Sequence, residues 1–90
     1  MDLLPYTLMT ILAHNGGHPV VTIDKVAKDY FDLSTDRFLR KVSDGKISIA
    51  ITKMEIESQK CLKGVLVSDL ARYIHQRAEA ARDHAAKMAA

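Results

Sequence analysis

The chain contains few of the residues that define several protein classes: its 90 residues include one cysteine, two prolines, four glycines and no tryptophan. The single thiol, Cys61, cannot form an internal disulfide, and this favours the reducing environment of the cytoplasm. The longest apolar stretch, residues 3–13, is too short to span a bilayer and is preceded by Asp2, where a secretion signal has basic residues. We therefore expect one small cytoplasmic domain with a single core and no membrane anchor.

The sequence also lacks patterns for catalysis or metal binding. His14 and His18 are four residues apart, but the two glycines between them and the proline that follows exclude a helix that would align them. Cys61 has no partner pattern for nucleophilic catalysis. The segment Asn15–His18 lacks the lysine and the spacing of a phosphate-binding loop. We therefore expect no enzyme activity, no cofactor and no metal.

Positive charge is concentrated in the middle of the chain. The net charge is only +2, but residues 1–35 carry a net −2, residues 36–63 a net +3 and residues 64–90 a net +1. An uneven distribution of this kind is typical of proteins that bind nucleic acid. The charge distribution alone fits an ordinary solvated surface equally well.

Residues 3–13 form an apolar segment whose spacing fits neither a helix nor a strand cleanly. The hydrophobic periodicity after it predicts a helix, a turn, a helix, a hairpin and a helix. Thr22 is the predicted N-cap of a helix that ends near Tyr30, and Ser34 or Thr35 caps a second helix that ends at Gly45. Two short helices joined by about three residues are typical of a helix-turn-helix. The predicted core side chains include those of this second helix and the aromatic residues: Leu39, Val42, Tyr6, Tyr30, Phe31, Phe38 and Tyr73.

The pattern after Gly45 changes to alternation. Ile47, Ile49 and Ile51 predict a strand over residues 47–52, and residues 65–67 predict a second strand that forms a long hairpin with it. Ser68 then caps a third helix with an apolar stripe made of Leu70, Tyr73, Ile74, Ala78 and Ala81. The predicted fold is an α+β winged helix-turn-helix over residues 1–79. The alanine-rich tail, residues 80–90, continues the helix, frays or docks on another subunit.

The second helix carries the main candidate site. In a helix-turn-helix this helix enters the major groove of DNA. Its basic residues are three and four positions apart, so they are neighbours on the helix surface, on the side opposite Phe38. Arginine can bind guanine through two hydrogen bonds. The polar hairpin tip suits contacts with phosphate or the minor groove. The predicted DNA-binding residues are Thr35, Arg37, Arg40, Lys41, Lys46, Ser58, Gln59, Lys60 and Lys63, with Thr22 and Lys25 as further backbone contacts.

Several segments together resemble the pyocin-activator family of prophage transcription regulators, which is similar in kind to the small Cox and Apl regulators of P2-like temperate phages. The resemblance covers roughly residues 3–82. The segments that carry it are residues 21–31, 37–42, Gly45, 58–60, 63–65 and 69–74.

The resemblance implies a winged-helix protein from a phage or prophage that binds double-stranded DNA. Such proteins control phage promoters, and the Cox and Apl kind also act with integrase as excision factors. By position, the basic second helix and residues 58–60 match the family's DNA-contacting parts. Residues 54–57 are more acidic than the family implies.

Two other functions are compatible with the sequence. The chain could be an interaction module that binds a phage repressor or integrase, or an architectural protein that binds DNA without sequence preference. Because one 90-residue module contacts few base pairs, we expect several copies to bind repeated sites side by side. The alanine-rich tail is a candidate for the contact between them.

Overall fold

The computed structural model describes residues 2–54 and 63–89, which form four helices and a three-stranded antiparallel sheet. This agrees with the predicted α+β class. Helix α2 consists of an α-helical turn, Ile23–Lys25, followed by a π-helical segment, Val26–Tyr30. The other elements are α1 (Leu4–His14), β1 (Val20–Thr22), α3 (Thr35–Ser43), β2 (Thr52–Lys53), β3 (Lys63–Leu66) and α4 (Val67–Ala89).

The sheet has the order β1-β3-β2, so the last strand lies between the other two. Val21 pairs with Val65 on one side of β3, and Thr52 pairs with Gly64 on the other. Gly64 is buried at the centre of this sheet. A Cβ atom there would collide with the carbonyl oxygen of Val21 and approach Cγ1 of Val20 to 2.6 Å. Glycine is therefore required by the close approach of β1.

Gly64→Ala is expected to lower the free energy of unfolding by about 2 kcal/mol, because the added methyl group must displace the β1 backbone. Gly45→Ala is the matched comparison. A Cβ at Gly45 would meet no atom within 4 Å, and its φ of +78° is the only source of strain. We expect it to cost about 1 kcal/mol. Urea unfolding measures both, and a smaller loss for Gly64→Ala than for Gly45→Ala would contradict this packing.

The core is formed by side chains from all four helices and from the sheet. Phe38 of α3 and Leu70 of α4 are its largest fully buried side chains. The ring of Phe31 stands 5.1 Å from that of Phe38 and 5.5 Å from that of Tyr73, which links α2, α3 and α4. The buried apolar residues are Ile11, Val21, Ile23, Val26, Ala27, Phe38, Ile47, Val65, Val67, Leu70 and Ala71.

The turn between α2 and α3 depends on local backbone bonds. Asp32 adopts a left-handed φ of +54°, and the N–H of Leu33 donates to the carbonyl of Ala27 at 2.9 Å. This bond reaches back six residues, one more than the usual C-terminal helix motif, because the π-helical turn contains an extra residue. Ser34 then caps α3, since its Oγ accepts from the N–H of Arg37 at 3.3 Å.

The predicted helix ends are largely confirmed. Gly45 follows α3 with a left-handed φ, and its N–H donates to the carbonyl of Val42. The N–H of Lys46 donates to the carbonyl of Lys41. Both bonds satisfy carbonyl groups that the end of α3 leaves free. Thr22 occupies the N-cap position of α2 with an extended backbone, although its side chain makes no capping hydrogen bond.

The prediction of a strand over residues 47–52 is wrong. Ile47 is buried and Ile49 half-buried, as alternation requires, but only Thr52–Lys53 forms β2. Side chains can therefore alternate toward the core while their backbone pairs with no strand. The pairing of β2 with β3 stops at Thr52 and Gly64, although β3 continues to Leu66. The predicted second strand also ends earlier. Residue 67 already begins α4, one residue before the predicted cap.

Three predicted core residues are exposed. Leu39 is 39% exposed and Tyr6 68% exposed, and Ala81 lies on the surface of α4. Leu39 sits at the edge of the α3 stripe centred on Phe38. Tyr6 belongs to a second apolar face of α1, because the face that packs against the core contains Leu4, Leu8, Ile11 and Leu12.

Helices α1 and α4 pack against each other in antiparallel directions. Thr7 Oγ1 lies 2.6 Å from Nε2 of His75, while Leu3 lines a groove with Ala78 and Arg82. Positions nearer the start of α1 thus meet positions nearer the end of α4. The alanine-rich segment continues α4 as helix to Ala89, and its residues 79–89 are all exposed.

Candidate nucleic-acid interface

Helix α3 is fixed to the core by one side and presents the other to solvent. Phe38 has no exposed surface and Val42 is half-buried on the same side. Since successive helix positions differ by about 100°, the side opposite Phe38 carries Asp36, Arg40 and Ser43. All three are exposed. Helix α3 is therefore anchored by a buried side chain on one side and exposes a polar side that is available for contacts in a groove.

The basic residues of α3 occupy two positions on this exposed side. Arg40 lies at its centre, directly opposite Phe38, with Asp36 one turn before it. Arg37 and Lys41 lie together along one edge, where Arg37 is exposed and Lys41 half-buried. The three basic side chains therefore share a surface, as predicted, but Arg40 projects farthest from the core.

These cations have no ion-pair partner in the part of the chain that the structure describes. The ion pairs there are His14 with Asp29 at 3.7 Å and Arg72 with Asp69 at 3.5 Å, and neither includes a residue of α3. No carboxylate among the described residues therefore competes with an external anion for Arg37 and Arg40. A charge-assisted hydrogen bond from arginine to phosphate or to a base edge is stronger than one between neutral groups.

A second basic position lies at the base of the hairpin and was missed by the sequence analysis. Lys53 of β2 pairs directly with Lys63 of β3 across the sheet. Like charges at facing positions destabilise a strand pair, and a bound anion would relieve their repulsion. Lys63 was among the predicted site residues, but Lys53 was not. Lys53 lies ten residues before Lys63 in the sequence, and their pairing depends on a strand register that the sequence does not indicate.

The remaining predicted residues are placed less centrally. Thr35 begins α3 and is half-buried, while Lys46 follows Gly45 and is exposed. Lys25 is exposed in the first turn of α2, and Thr22 precedes it at the end of β1. The predicted hairpin-tip residues, Ser58, Gln59 and Lys60, lie outside the described residues.

The described residues contain no group of three histidine, cysteine, aspartate or glutamate side chains that could hold a metal ion. None of the helices in residues 2–54 and 63–89 has the length and apolar character needed to cross a membrane.

Comparison with known proteins gives one result. A family model described as "Pyocin activator protein PrtN" matches residues 7–81, a range that includes α2, the turn, α3 and the hairpin strands. No curated protein and no solved structure matches the chain. The match confirms the resemblance drawn from the sequence segments. The chain belongs to the pyocin activator protein PrtN family, a phage-related family of transcription activators.

Proposed function

We propose that this protein binds double-stranded DNA through α3 and regulates transcription of phage or prophage genes in the bacterial cytoplasm. The observation that carries the proposal is the exposed side of α3. There Arg37 and Arg40 stand without carboxylate partners among the described residues, on a helix held by the fully buried Phe38. Family membership supports the regulatory role.

The proposed architecture is a winged helix-turn-helix. Helix α2, the turn at Asp32 and α3 follow the order of a helix-turn-helix, and β2 and β3 form the base of the wing. The short hydrogen-bonded turn holds α2 and α3 in a fixed relation, so that α3 can enter the major groove while α2 supports it from behind. The hairpin then follows α3 closely enough to contact the adjacent backbone.

The position of each side chain on α3 implies its role. Arg40, at the centre of the exposed side, is proposed to reach a base edge, where guanine offers two acceptors. Asp36, one turn earlier, can accept a hydrogen bond from the amino group of cytosine. Arg37 and Lys41, at the edge, are proposed to contact the phosphates that border the groove.

The hairpin lysines are proposed to bind phosphate. Lys53 and Lys63 face each other across two strands, so one phosphate group could neutralise both. Such contacts position the protein on DNA and carry no sequence information. The proposal therefore separates an α3 surface that discriminates between sequences from a hairpin surface that does not.

Replacing both Lys53 and Lys63 by glutamine is expected to reduce the salt dependence of DNA binding. Loss of the phosphate contact that the two lysines share should lower the slope of log affinity against log salt by about 1, equally for all duplexes. The affinity of each variant is measured by fluorescence anisotropy at several salt concentrations. Because the two lysines repel each other, thermal unfolding should show no loss of stability.

The matched control is Arg82→Gln on the distal part of α4, which removes an exposed cation far along the chain from α3 and the hairpin. It should leave the slope unchanged. An unchanged slope in the double variant would rule out the phosphate contacts. Salt-dependent binding to every duplex with equal affinity would favour the architectural alternative, and failure to bind DNA at all would favour a module that binds a repressor or integrase.

A further inference from the structure

Helix α1 has an outer face that the fold leaves uncovered. Tyr6 and Met9 are each 68% exposed, and Thr10 and Ala13 on the same face are exposed as well. Leu3, which precedes α1, is 53% exposed and lies at the edge of this face, beside the groove against α4. These residues follow a helical spacing, and no charged residue lies between positions 3 and 13. Three of the largest exposed apolar side chains of the described residues thus lie on or at the edge of one face of one helix. An exposed apolar surface of this kind marks an interaction site.

The distal part of α4 carries a matching apolar stripe. Apolar residues recur along α4 with alternating spacings of three and four, a pattern typical of helices that pack lengthwise on another helix. The stripe consists of Ala71, Ile74, Ala78, Ala81, Ala85 and Met88. Its first half is buried or half-buried and belongs to the part of α4 that packs against α1. Its second half is exposed, with Met88 at 74%.

The two surfaces fit each other in spacing. Exposed positions 3, 6 and 10 of α1 are separated by three and four residues, and positions 88, 85 and 81 of α4 repeat this spacing in the opposite direction. An antiparallel pairing sets Leu3 beside Met88, and Tyr6 beside the small Ala85. It also brings Asp2 close to Lys87, which have opposite charges. The largest side chain of the α1 face, Tyr6, therefore meets a small one on α4.

The chain cannot form this contact with itself. Its own α4 already packs on the inner face of α1, and its distal segment continues past the start of α1, beyond Leu3. A second copy can supply the distal segment, because the matched positions on each helix span about two helical turns, or roughly 12 Å. The same stripe that packs on the inner face of α1 within one chain would then pack on the outer face of α1 in the next.

We propose that copies of this protein associate head to tail, with the distal α4 of one copy on the outer face of α1 of the next. The interface uses different surfaces on the two copies, so it leaves a free surface at each end and can extend into a row. A symmetric α4–α4 pair is less favourable, since Arg82 and His84 flank the stripe and would face their own copies. The inference extends the proposed side-by-side binding on DNA but does not depend on DNA binding.

Self-association without DNA tests the proposal. Because a contact between two short helix segments is small, the average mass is measured by sedimentation equilibrium up to about 1 mM protein. The wild type is expected to rise from the monomer mass of 10.0 kDa and to pass that of a dimer. Tyr6→Glu and Ala85→Glu should each remain monomeric. Ala86→Glu, which places the same charge on the other side of α4, should behave as the wild type.

Mixing the two monomeric variants distinguishes the head-to-tail arrangement from a symmetric one. The Tyr6→Glu copy retains an intact α4, and the Ala85→Glu copy retains an intact α1, so an equal mixture should form dimers that grow no further. A wild type that stays monomeric, or a Tyr6→Glu variant that associates like the wild type, would overturn the proposal. Because these measurements contain no DNA, their failure would leave the proposed DNA binding untouched.

Discussion

Phe38→Ala is expected to lower the free energy of unfolding by about 3–5 kcal/mol, the largest loss from any single substitution considered. Phe38 is fully buried, and its ring contacts that of Phe31, so alanine leaves a cavity between α2, α3 and α4. For a domain of this size the midpoint of thermal unfolding should fall by about 20 °C. Thermal and urea unfolding, followed by circular dichroism, measure the change.

Leu39→Ala is the control for this prediction, because it removes an apolar side chain of similar size at the next position of the same helix. Leu39 is 39% exposed, so its loss should cost less than about 1 kcal/mol. The comparison tests the orientation of α3 directly. Equal losses for the two variants would mean that α3 is rotated, and that Arg40 does not occupy the centre of its exposed side.

Arg40→Ala is expected to weaken binding to a preferred duplex by on the order of 1–3 kcal/mol, and to reduce the preference for that duplex over others. The reason is its position opposite Phe38, from which a side chain reaches the base edges. Arg37→Ala, at the edge of the same surface, should weaken binding to all duplexes by a similar factor. Anisotropy titrations against a preferred and a scrambled duplex separate these two effects.

Arg82→Ala serves as the control, since it removes the same charge from an exposed helical position that the proposal places away from DNA. It should leave single-site affinity unchanged. If Arg37→Ala and Arg40→Ala both have the same affinities as the wild type, α3 is not the DNA-binding surface. Neither arginine of α3 contributes to the buried core, so unfolding measurements should show little change in stability.

Much of the fold followed from local patterns in the sequence. Apolar spacing identified α2, α3 and α4, and Gly45 marked the end of α3 because a left-handed residue is needed there. These features depend on residues within a few positions of each other. The basic side of α3 was predictable for the same reason, since its position relative to Phe38 follows from helical geometry alone.

Features that depend on tertiary neighbours were not predictable. Residues 47–51 alternate like a strand, yet they do not continue the pairing of β2 with β3, although β3 runs on to Leu66. Tyr6 is as apolar as a core residue, yet α1 has two apolar faces and the chain covers only one. Lys53 faces Lys63 because of strand register, which a long hairpin leaves unspecified. Each of these outcomes required knowledge of a partner distant in sequence.

The measurement that tests the central proposal most directly is selection of bound duplexes from a random DNA pool by the wild-type protein at near-physiological salt. We expect enrichment of a short motif, recurring in direct repeats if copies associate head to tail. We also expect that Arg40→Ala loses the preference at one or two positions of that motif. Recovery of no DNA, or of DNA without any enriched sequence, would contradict sequence-specific binding through α3.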